Sequence, residues 1–209
     1  MRKIQSNLFW LLLGFLALGL VYPIIGLLAL VCMLAPVLLS FSKGRYWCGN
    51  FCPRGSFYDH VLARVSPQKQ IPGFFRRTSF RIAVLLVLMS AFSVQMYAAW
   101  GDLALMGAVL VRIILITTLI GIGLAMLYHQ RTWCSFCPMG SLASWISSWK
   151  KPLPLKVDAT CVNCKLCTTV CPMQLKPYEA KGHIEGFVDG DCLKCSRCVE
   201  RCSKKALSF

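Results

Sequence analysis

One stretch of 34 residues, Leu8–Phe41, contains no charged side chain, and such a run excludes most water-soluble folds. As a single helix it would be about 51 Å long, well beyond the ~30 Å hydrocarbon core of a bilayer. Proline ends a helix and restrains the residue before it, so Tyr22–Pro23 is the expected break. We therefore expect two membrane spans, at about 8–21 and 24–41.

A second apolar block has the same form. It runs from residue 82 to residue 100, is interrupted at Gly101–Asp102, and continues from 103 to 128. The sequence thus predicts an α-helical membrane protein with four transmembrane helices, arranged as two hairpins. The hydrophobic fraction of 56%, against 15% charged residues, agrees with this class.

The basic residues indicate how these helices are oriented. The chain has 23 Lys and Arg against 8 Asp and Glu, a formal net charge of +15. In the membrane part the Lys and Arg residues lie mainly before the first span, between the hairpins and after the fourth span. The two connections within the hairpins hold only one charged residue, Asp102. Short loops rich in Lys and Arg stay in the cytoplasm, so both termini and the central loop are expected there. The lipid bilayer, rather than nucleic acid, explains most of the charge.

The composition changes at about Pro152. Long apolar runs stop, charges of both signs appear, and eight of the 13 cysteines follow in two runs. Each run has the spacing Cys-x2-Cys-x2-Cys-x3-Cys, starting at Cys161 and at Cys192. This spacing is typical of bacterial proteins with two [4Fe-4S] clusters. We therefore divide the chain into a membrane domain, 1–151, and a small α+β two-cluster ferredoxin domain, 152–209.

In such a pair of runs, the first three cysteines bind one cluster and the fourth binds the other. The predicted ligands of cluster I are Cys161, Cys164, Cys167 and Cys202. The predicted ligands of cluster II are Cys171, Cys192, Cys195 and Cys198. Zinc sites or disulfides would not explain two complete runs of this kind.

A shorter motif occurs twice in the membrane part. The first Cys-Pro turn, residues 45–57, is RYWCGNFCPRGSF, and the second Cys-Pro turn, residues 131–142, is RTWCSFCPMGSL. Each turn follows a predicted hairpin, which indicates an internal duplication of two spans and one turn. Ser56 and Ser141 are expected to cap the helices that follow them.

The two turns together supply four more cysteines, namely Cys48, Cys52, Cys134 and Cys137. Four thiolates are the number that one tetrahedral zinc site or one cubane requires. We expect a third iron–sulfur cluster shared by the two turns, with zinc or no shared site as the alternatives. Cys32 lies inside a span and is expected to be a packing residue.

Four polar residues in or beside the spans are candidate contacts for a quinone head group, namely Arg112, Gln95, His60 and His129. A charge within a span is costly and often functional, and histidine exchanges protons near neutral pH. The alternative for Arg112 is that its side chain extends to the membrane interface. The alternative for the histidines is a solvated position at that interface.

The four spans, the two Cys-Pro turns and the two cysteine runs together resemble the bacterial membrane polyferredoxin family of the NapH type. The resemblance covers nearly the whole chain, although the second turn has two residues between its cysteines where the family usually has three. It implies electron transfer between the quinone pool, or a cytoplasmic donor, and a partner reductase, with quinol dehydrogenase as the activity. It also implies a multi-pass protein of the bacterial inner membrane with all clusters on the cytoplasmic side.

Two other functions fit the same residues. The first is an accessory reductase that matures a metal centre in a larger enzyme. The second is a non-catalytic membrane anchor whose ferredoxin domain docks a soluble redox enzyme. Each of these also needs a redox partner protein.

Overall fold

Helices form most of the chain, and a two-stranded sheet lies in its C-terminal part. The computed structural model describes residues 2–209. The α-helices, in chain order, are α1 (Arg2–Val21), α2 (Ala29–Lys43), α3 (Tyr46–Asn50), α4 (Pro53–His60), α5 (Thr78–Ala98), α6 (Leu103–Leu127), α7 (Pro138–Lys150), α8 (Leu166–Thr169) and α9 (Arg197–Arg201). Short 3₁₀ helices lie at Pro23–Leu28, Leu62–Arg64, Gly73–Arg76, Trp133–Ser135 and Pro177–Ala180. The strands are β1 (Lys156–Val157) and β2 (Leu207–Ser208).

Three helical segments are long and apolar enough to cross a membrane. They are Pro23–Lys43, Thr78–Ala98 and Leu103–Leu127. Each lies within a few residues of a predicted span. The apolar part of α1 is Asn7–Val21, which reaches only about 22 Å at the rise of an α-helix. The helix that contains the predicted first span, 8–21, therefore has a shorter apolar part than each of the three segments named above.

The predicted helix breaks are confirmed. Helix α1 ends at Val21, and the next helical segment starts at Pro23 with proline in its first turn, where a missing N–H costs no hydrogen bond. Helix α6 starts after Asp102, whose carboxylate accepts hydrogen bonds from the N–H groups of Ala104 and Leu105, at 2.8 and 3.2 Å. Asp102 is thus an N-cap, and the connection between α5 and α6 ends there.

Two glycines let the segment after Pro23 pack directly against α6. A Cβ atom on Gly26 would lie 2.1 Å from the carbonyl oxygen of Gly107, and one on Gly107 would lie 2.0 Å from that of Pro23. The two backbones therefore touch, as they do at contacts between small residues of membrane helices. Elsewhere α1 packs on α4, and α2 packs on α7.

The helices of the Cys-Pro turns begin earlier than expected. Helices α4 and α7 start at Pro53 and Pro138, so the residues at their N-caps are cysteines. Proline favours the first helical position because its φ is already helical. The prediction that Ser56 and Ser141 are N-caps is therefore wrong, since both lie inside the first turn of a helix and are buried.

Residues 152–209, called the C-terminal module below, fold around a small core. Strands β1 and β2 are antiparallel, with Lys156 opposite Ser208, and the side chains of Leu155 and Val157 are buried beneath them. The segment between α4 and α5 also contacts this module. The N–H of Ile71 donates a hydrogen bond to Oε1 of Gln174 at 2.9 Å, so the module lies against the membrane part.

We predict that Gly107→Ala destabilises the protein, because the added Cβ would meet a backbone oxygen that cannot move aside. Overpacking of this kind lowers the free energy of unfolding by about 1–3 kcal/mol. Gly123→Ala is the matched control, because Gly123 lies on the same helix and a Cβ added there would meet nothing within 4 Å beyond the helix's own backbone. Thermal unfolding in detergent measures both variants, and equal midpoints would contradict the close contact.

Candidate metal centres

The cysteines of the two Cys-Pro turns line one cavity. Its volume is about 470 Å³, and its wall includes Cys48, Cys52, Cys134 and Cys137. In the first turn, α3 and α4 present the two cysteines, and Pro53 starts the helix directly after the second one. In the second turn, a 3₁₀ helix and α7 present them in the same way. The structure therefore brings together the four cysteines that were predicted to share a site.

The rest of the cavity wall is partly cationic and partly apolar. Three guanidinium groups belong to it, those of Arg45, Arg54 and Arg131. Apolar side chains from α1 and α2 also line the cavity, and Cys32 lies among them. The residue that was expected only to pack inside a span thus faces the same space as the turn cysteines.

Two of these arginines cross between the turns. Nη2 of Arg45 donates to the carbonyl oxygen of Cys134 at 2.8 Å, and Nη1 of Arg131 donates to that of Cys48 at 3.3 Å. Each arginine thus binds the first cysteine of the opposite turn. The crossing needs glycine nearby, because a Cβ on Gly55 would lie 2.8 Å from Nη1 of Arg131.

Each crossing arginine pairs with a carboxylate that is buried or largely buried. Nε and Nη2 of Arg131 both donate to Asp59 at 2.8 Å, and each side chain is only 1% exposed. Nη1 of Arg45 donates to Asp191 at 2.8 Å, with Arg45 also 1% exposed. Burial disfavours the charge on Asp59, but Arg131 and Arg197 outweigh burial and hold the pKa of that carboxyl below its usual range.

Burial disfavours the ionised form of the first cysteine in each turn. It raises the pKa of Cys48 to about 12, although Arg45 acts in the opposite direction, and it raises the pKa of Cys134, which Arg131 opposes. A thiolate is the form that binds metal, so Cys48 and Cys134 would release their protons only to a bound cationic centre. The guanidinium groups beside them would then stabilise the negative charge of the thiolates.

The two cysteine runs of the C-terminal module have matching backbones. Residues with positive φ occur in pairs that are 31 positions apart, namely Asn163 and Lys194, Lys165 and Ser196, and Gln174 and Lys205. Left-handed residues of this kind turn successive N–H groups into a concave surface that suits an anionic group such as an iron–sulfur cluster. The N–H of Leu175 donates to Sγ of Cys171, and that of Ala206 donates to Sγ of Cys202, both at 3.4 Å.

The module's second run lies next to the Cys-Pro turns. The buried cluster that includes Met173 and Leu193 packs against cysteines of the second run and of the turns, namely Cys192, Cys195, Cys48 and Cys134. Within the module, Cys171, Cys192 and Cys195 lie close enough to Cys198 to add to the effect of burial, which raises the pKa of Cys198 to about 12. Across residues 2–209, no three His, Cys, Asp or Glu side chains converge closely enough to hold one metal ion.

The residues that line the cavity include none of the four quinone candidates. Arg112 is exposed on α6, and Gln95 on α5 donates to the carbonyl oxygen of Ala91. A ring nitrogen of His60 lies 3.1 Å from the carbonyl oxygen of Ser56. His129 is buried beside the second turn, where its Nδ1 accepts from the N–H of Arg131 at 3.2 Å. The role of these four in quinone binding stays a prediction.

The arginines and their carboxylates were not predicted as parts of the site. Arg45 and Arg131 were counted only as charges that set the orientation in the membrane. A signal was present, because both stand at the same position of the two turns, three residues before the first cysteine. No comparable signal marked Asp59 or Asp191, whose partners are 72 and 146 residues away along the chain.

We predict that Asp59→Asn is strongly destabilising, because it leaves the buried Arg131 without its carboxylate. Breaking a buried pair in this way costs about 3–5 kcal/mol. Glu179→Gln is the control, because it breaks the Lys176–Glu179 pair, in which both side chains are 58% exposed, and exposed pairs contribute at most about 1 kcal/mol. Chemical denaturation in detergent compares the two, and similar losses would contradict the assignment.

A second prediction concerns acid. Burial and the nearby Arg131 and Arg76 lower the pKa of His129 to about 4, and Asp59 opposes them only in part. The unfolded chain binds a proton at this residue below about pH 6.5 while the folded chain does not. Stability should therefore fall between about pH 6.5 and pH 4, by up to roughly 3 kcal/mol. His129→Asn keeps an acceptor without a titrating group, so its stability should fall less in this range, and parallel profiles of the two proteins would refute the prediction.

Comparison with protein families identifies both kinds of cysteine site. A 4Fe-4S binding domain family matches residues 25–67 and 103–155, and each of these segments contains one Cys-Pro turn. A 4Fe-4S dicluster domain family matches residues 153–203, which include both cysteine runs. The predicted iron–sulfur character of the chain is therefore confirmed.

Three relatives extend this result. The uncharacterized protein MJ0749 of Methanocaldococcus jannaschii is 27% identical over 100% of this chain and 86% of its own length. The uncharacterized protein MJ0750 of the same organism is 31% identical over 83% of this chain and 75% of its own length. The ferredoxin-type protein NapH of Haemophilus influenzae is 28% identical over 79% of this chain and 62% of its own length. No solved structure matches the chain.

Two of these relatives are archaeal and one is bacterial, so the comparisons support the predicted family but not a bacterial origin. The apolar helices and the likeness to NapH also make this a membrane-associated electron-transfer protein. The chain belongs to the polyferredoxin family of 4Fe-4S proteins, which includes the ferredoxin-type protein NapH.

Proposed function

We propose that this protein relays electrons between the quinone pool, or a cytoplasmic donor, and a partner reductase. One observation supports this above all others. The wall of the cavity combines the four turn cysteines with apolar helices, and the buried cluster that includes Met173 and Leu193 packs against turn cysteines and against the module's second run. The core around Leu155 packs against cysteines of both runs. These contacts support a series of three sets of cysteines from the apolar part of the chain to the C-terminal module.

The proposed ligands are those that the cysteine spacing predicts. Cluster I is assigned to Cys161, Cys164, Cys167 and Cys202, and cluster II is assigned to Cys171, Cys192, Cys195 and Cys198. The third site is assigned to Cys48, Cys52, Cys134 and Cys137. Bound iron–sulfur clusters supply one-electron carriers. The chain's own residues supply thiolates, N–H donors to sulfur, and buried surroundings that exclude water.

One observation favours an iron–sulfur cluster over zinc at the third site, because the 4Fe-4S binding domain family matches a separate segment around each of the two turns. Arg54 supports an anionic occupant of either kind. It lines the cavity with no carboxylate in ion-pair distance among the described residues, and its guanidinium carbon lies 6.0 Å from the ring centroid of Trp133. A cation in a buried wall favours an anionic occupant, and both a zinc ion and a cubane with four thiolate ligands are anionic.

We further propose that residues 1–151 form a multi-pass membrane domain of two duplicated hairpins with four spans. The contacts support the duplication, since α4 packs on α1 and α6, and α7 packs on the equivalent helices α5 and α2. The start of α1 also lies beside α4, where Ser56 donates to the carbonyl oxygen of Gln5. The N-terminus and the turns therefore share one side, which the excess of Lys and Arg assigns to the cytoplasm. In a bacterial host this would be the inner membrane.

The apolar wall of the cavity suggests where a quinone would approach. It is formed by side chains such as Leu11, Phe15 and Met33 from α1 and α2. A quinol is lipophilic, and each one oxidised to a quinone delivers two electrons and releases two protons. In this proposal the cavity admits the ring beside the turns, and the predicted roles of Arg112, Gln95, His60 and His129 are to be tested separately.

The first test counts irons after anaerobic purification and follows the EPR signals during redox titration. Three cubanes predict about 12 irons per chain, at four per cubane. Cys134→Ser should lower the count to about eight and remove one EPR signal. Cys32→Ser is the matched control, because Cys32 lines the same cavity but is not a proposed ligand. Eight irons with stoichiometric zinc, unchanged by Cys134→Ser, would rule out the third cluster.

The second test adds quinol to the purified protein in lipid vesicles. We expect quinol to reduce the clusters, because the cavity adjoins both the apolar helices and the turn cysteines. Clusters that stay oxidised with quinol, but are reduced by a soluble donor, would contradict the quinone part of the proposal. Loss of cofactor from a larger enzyme after deletion would instead support the accessory reductase. If the clusters exchange no electrons, the non-catalytic membrane anchor would be the remaining function.

A further inference from the structure

The two Cys-Pro turns differ at one position that matters for charge. Asp59 lies six residues after Pro53, and it pairs with Arg131 of the other turn. The equivalent position, six residues after Pro138, is Ser144, which cannot neutralise Arg45. The missing carboxylate comes from the C-terminal module, because Asp191 accepts hydrogen bonds from both Arg45 and Ser144, each at 2.8 Å.

Asp191 has a third partner from the membrane part. Nη1 of Arg81, near the start of α5, donates to one carboxylate oxygen of Asp191 at 3.1 Å, and Nη2 donates to the other oxygen. The side chains are 6% exposed for Arg81 and 13% exposed for Asp191. One carboxylate of the module therefore neutralises two buried arginines of the membrane part.

A second ion pair joins the same two parts with the opposite polarity. Here the module supplies the cation, as Arg197 donates to Asp59. Asp191 directly precedes Cys192, and Arg197 directly precedes Cys198. Two cysteines proposed for cluster II are thus each adjacent in sequence to a residue that pairs with the membrane part.

The first cysteine run has no such residues. Because the runs are 31 positions apart, Asp191 corresponds to Thr160, and Arg197 corresponds to Leu166. Both of these residues are exposed and neither is charged. The two halves of the module have similar backbones, but only the second half has the charges that match the membrane part.

The backbones also meet where the second run lies. A Cβ atom on Gly49 would be 2.2 Å from the carbonyl oxygen of Leu193, and Nδ2 of Asn50 donates to the carbonyl oxygen of Lys194 at 3.3 Å. The loop between Cys192 and Cys195 therefore rests on the first turn, directly after Cys48.

We propose that Asp191 and Arg197 are positioning residues that dock the loop of cluster II, and not that of cluster I, onto the two Cys-Pro turns. The assignment of clusters rests on the proposed function above, whereas the docking itself does not. Asp191 supplies the carboxylate that the second turn lacks, and it pairs with Arg45. Arg197 pairs with Asp59, the carboxylate that follows the first turn.

The main test moves the carboxylate without removing it. Asp191→Asn leaves two buried arginines unneutralised, whereas Asp191→Asn combined with Ser144→Asp returns a carboxylate to them from the membrane part. Thermal unfolding in detergent reports on neutralisation. Hydrogen–deuterium exchange at residues 46–50 and 190–195, together with the magnetic coupling between clusters in EPR spectra, reports on docking.

We expect the double variant to recover thermal stability but not docking. Its exchange at both segments should stay about tenfold or more above that of the original protein, since local opening follows the lost contact energy. The magnetic coupling should be weakened as well. Recovery of both stability and docking would overturn the proposal, because the carboxylate would then serve only to neutralise the arginines.

Two further variants keep the test decisive. Arg197→Gln leaves Asp59 paired with Arg131, so it should fold, and its exchange at residues 46–50 should rise. Glu185→Gln is the control, because it breaks a Lys151–Glu185 pair that also joins the two parts but whose side chains are 52% and 70% exposed. Equal exchange in these two variants would also contradict the proposal.

The outcomes separate this inference from the proposed function. An original protein with eight irons would refute the third cluster, while hydrogen exchange would still measure docking. An original protein with twelve irons whose docking is unaffected by Asp191→Asn and Arg197→Gln would support the proposed function and refute the positioning role.

Discussion

Two buried arginines hold the Cys-Pro turns together, and the rest of the site is arranged around them. Arg45 and Arg131 each donate to a main-chain carbonyl of the opposite turn. A guanidinium group this deeply buried needs a carboxylate, because an isolated charge in such surroundings is very costly. Asp59 and Asp191 meet this need, and Asp191 belongs to the C-terminal module. The charges of the two arginines in the cavity wall are therefore neutralised only when carboxylates from outside that wall are in place.

These ion pairs contribute more to the choice of one orientation of the C-terminal module than to net stability. The cost of removing two charges from water offsets much of their attraction, but leaving either charge unpaired is strongly unfavourable. Asp191 and Arg197 have opposite signs, and each faces its complement. Turning the module by its internal symmetry would put Thr160 and Leu166 in their places. The charges of the membrane part would then lose partners, so one orientation of the module is favoured over the other.

Features that depend on neighbouring residues were predictable from the sequence. Pro23 and Asp102 end and start helices through their own backbone and side-chain chemistry, and the cysteine spacing predicted two similar loops. The N-caps of α4 and α7 were misplaced, because proline determines the helix start more strongly than the serine that follows it. The ion pairs were not predictable, since Arg45 and Asp191 are 146 residues apart and no periodic pattern relates them.

The docked orientation also determines which cysteines of the module are accessible from solvent. The loop of the second run rests on the first Cys-Pro turn, and Cys192 and Cys195 pack against the same buried cluster as Cys48 and Cys134. Among the described cysteines, the exposed one is Cys164, in the first run. Two apolar side chains beside it are also accessible, with Val162 61% and Leu166 37% exposed. Because electron exchange between proteins requires close approach, the proposed relay predicts that a soluble partner meets the module near the exposed Cys164, rather than near Cys192 and Cys195, which lie beside the turns.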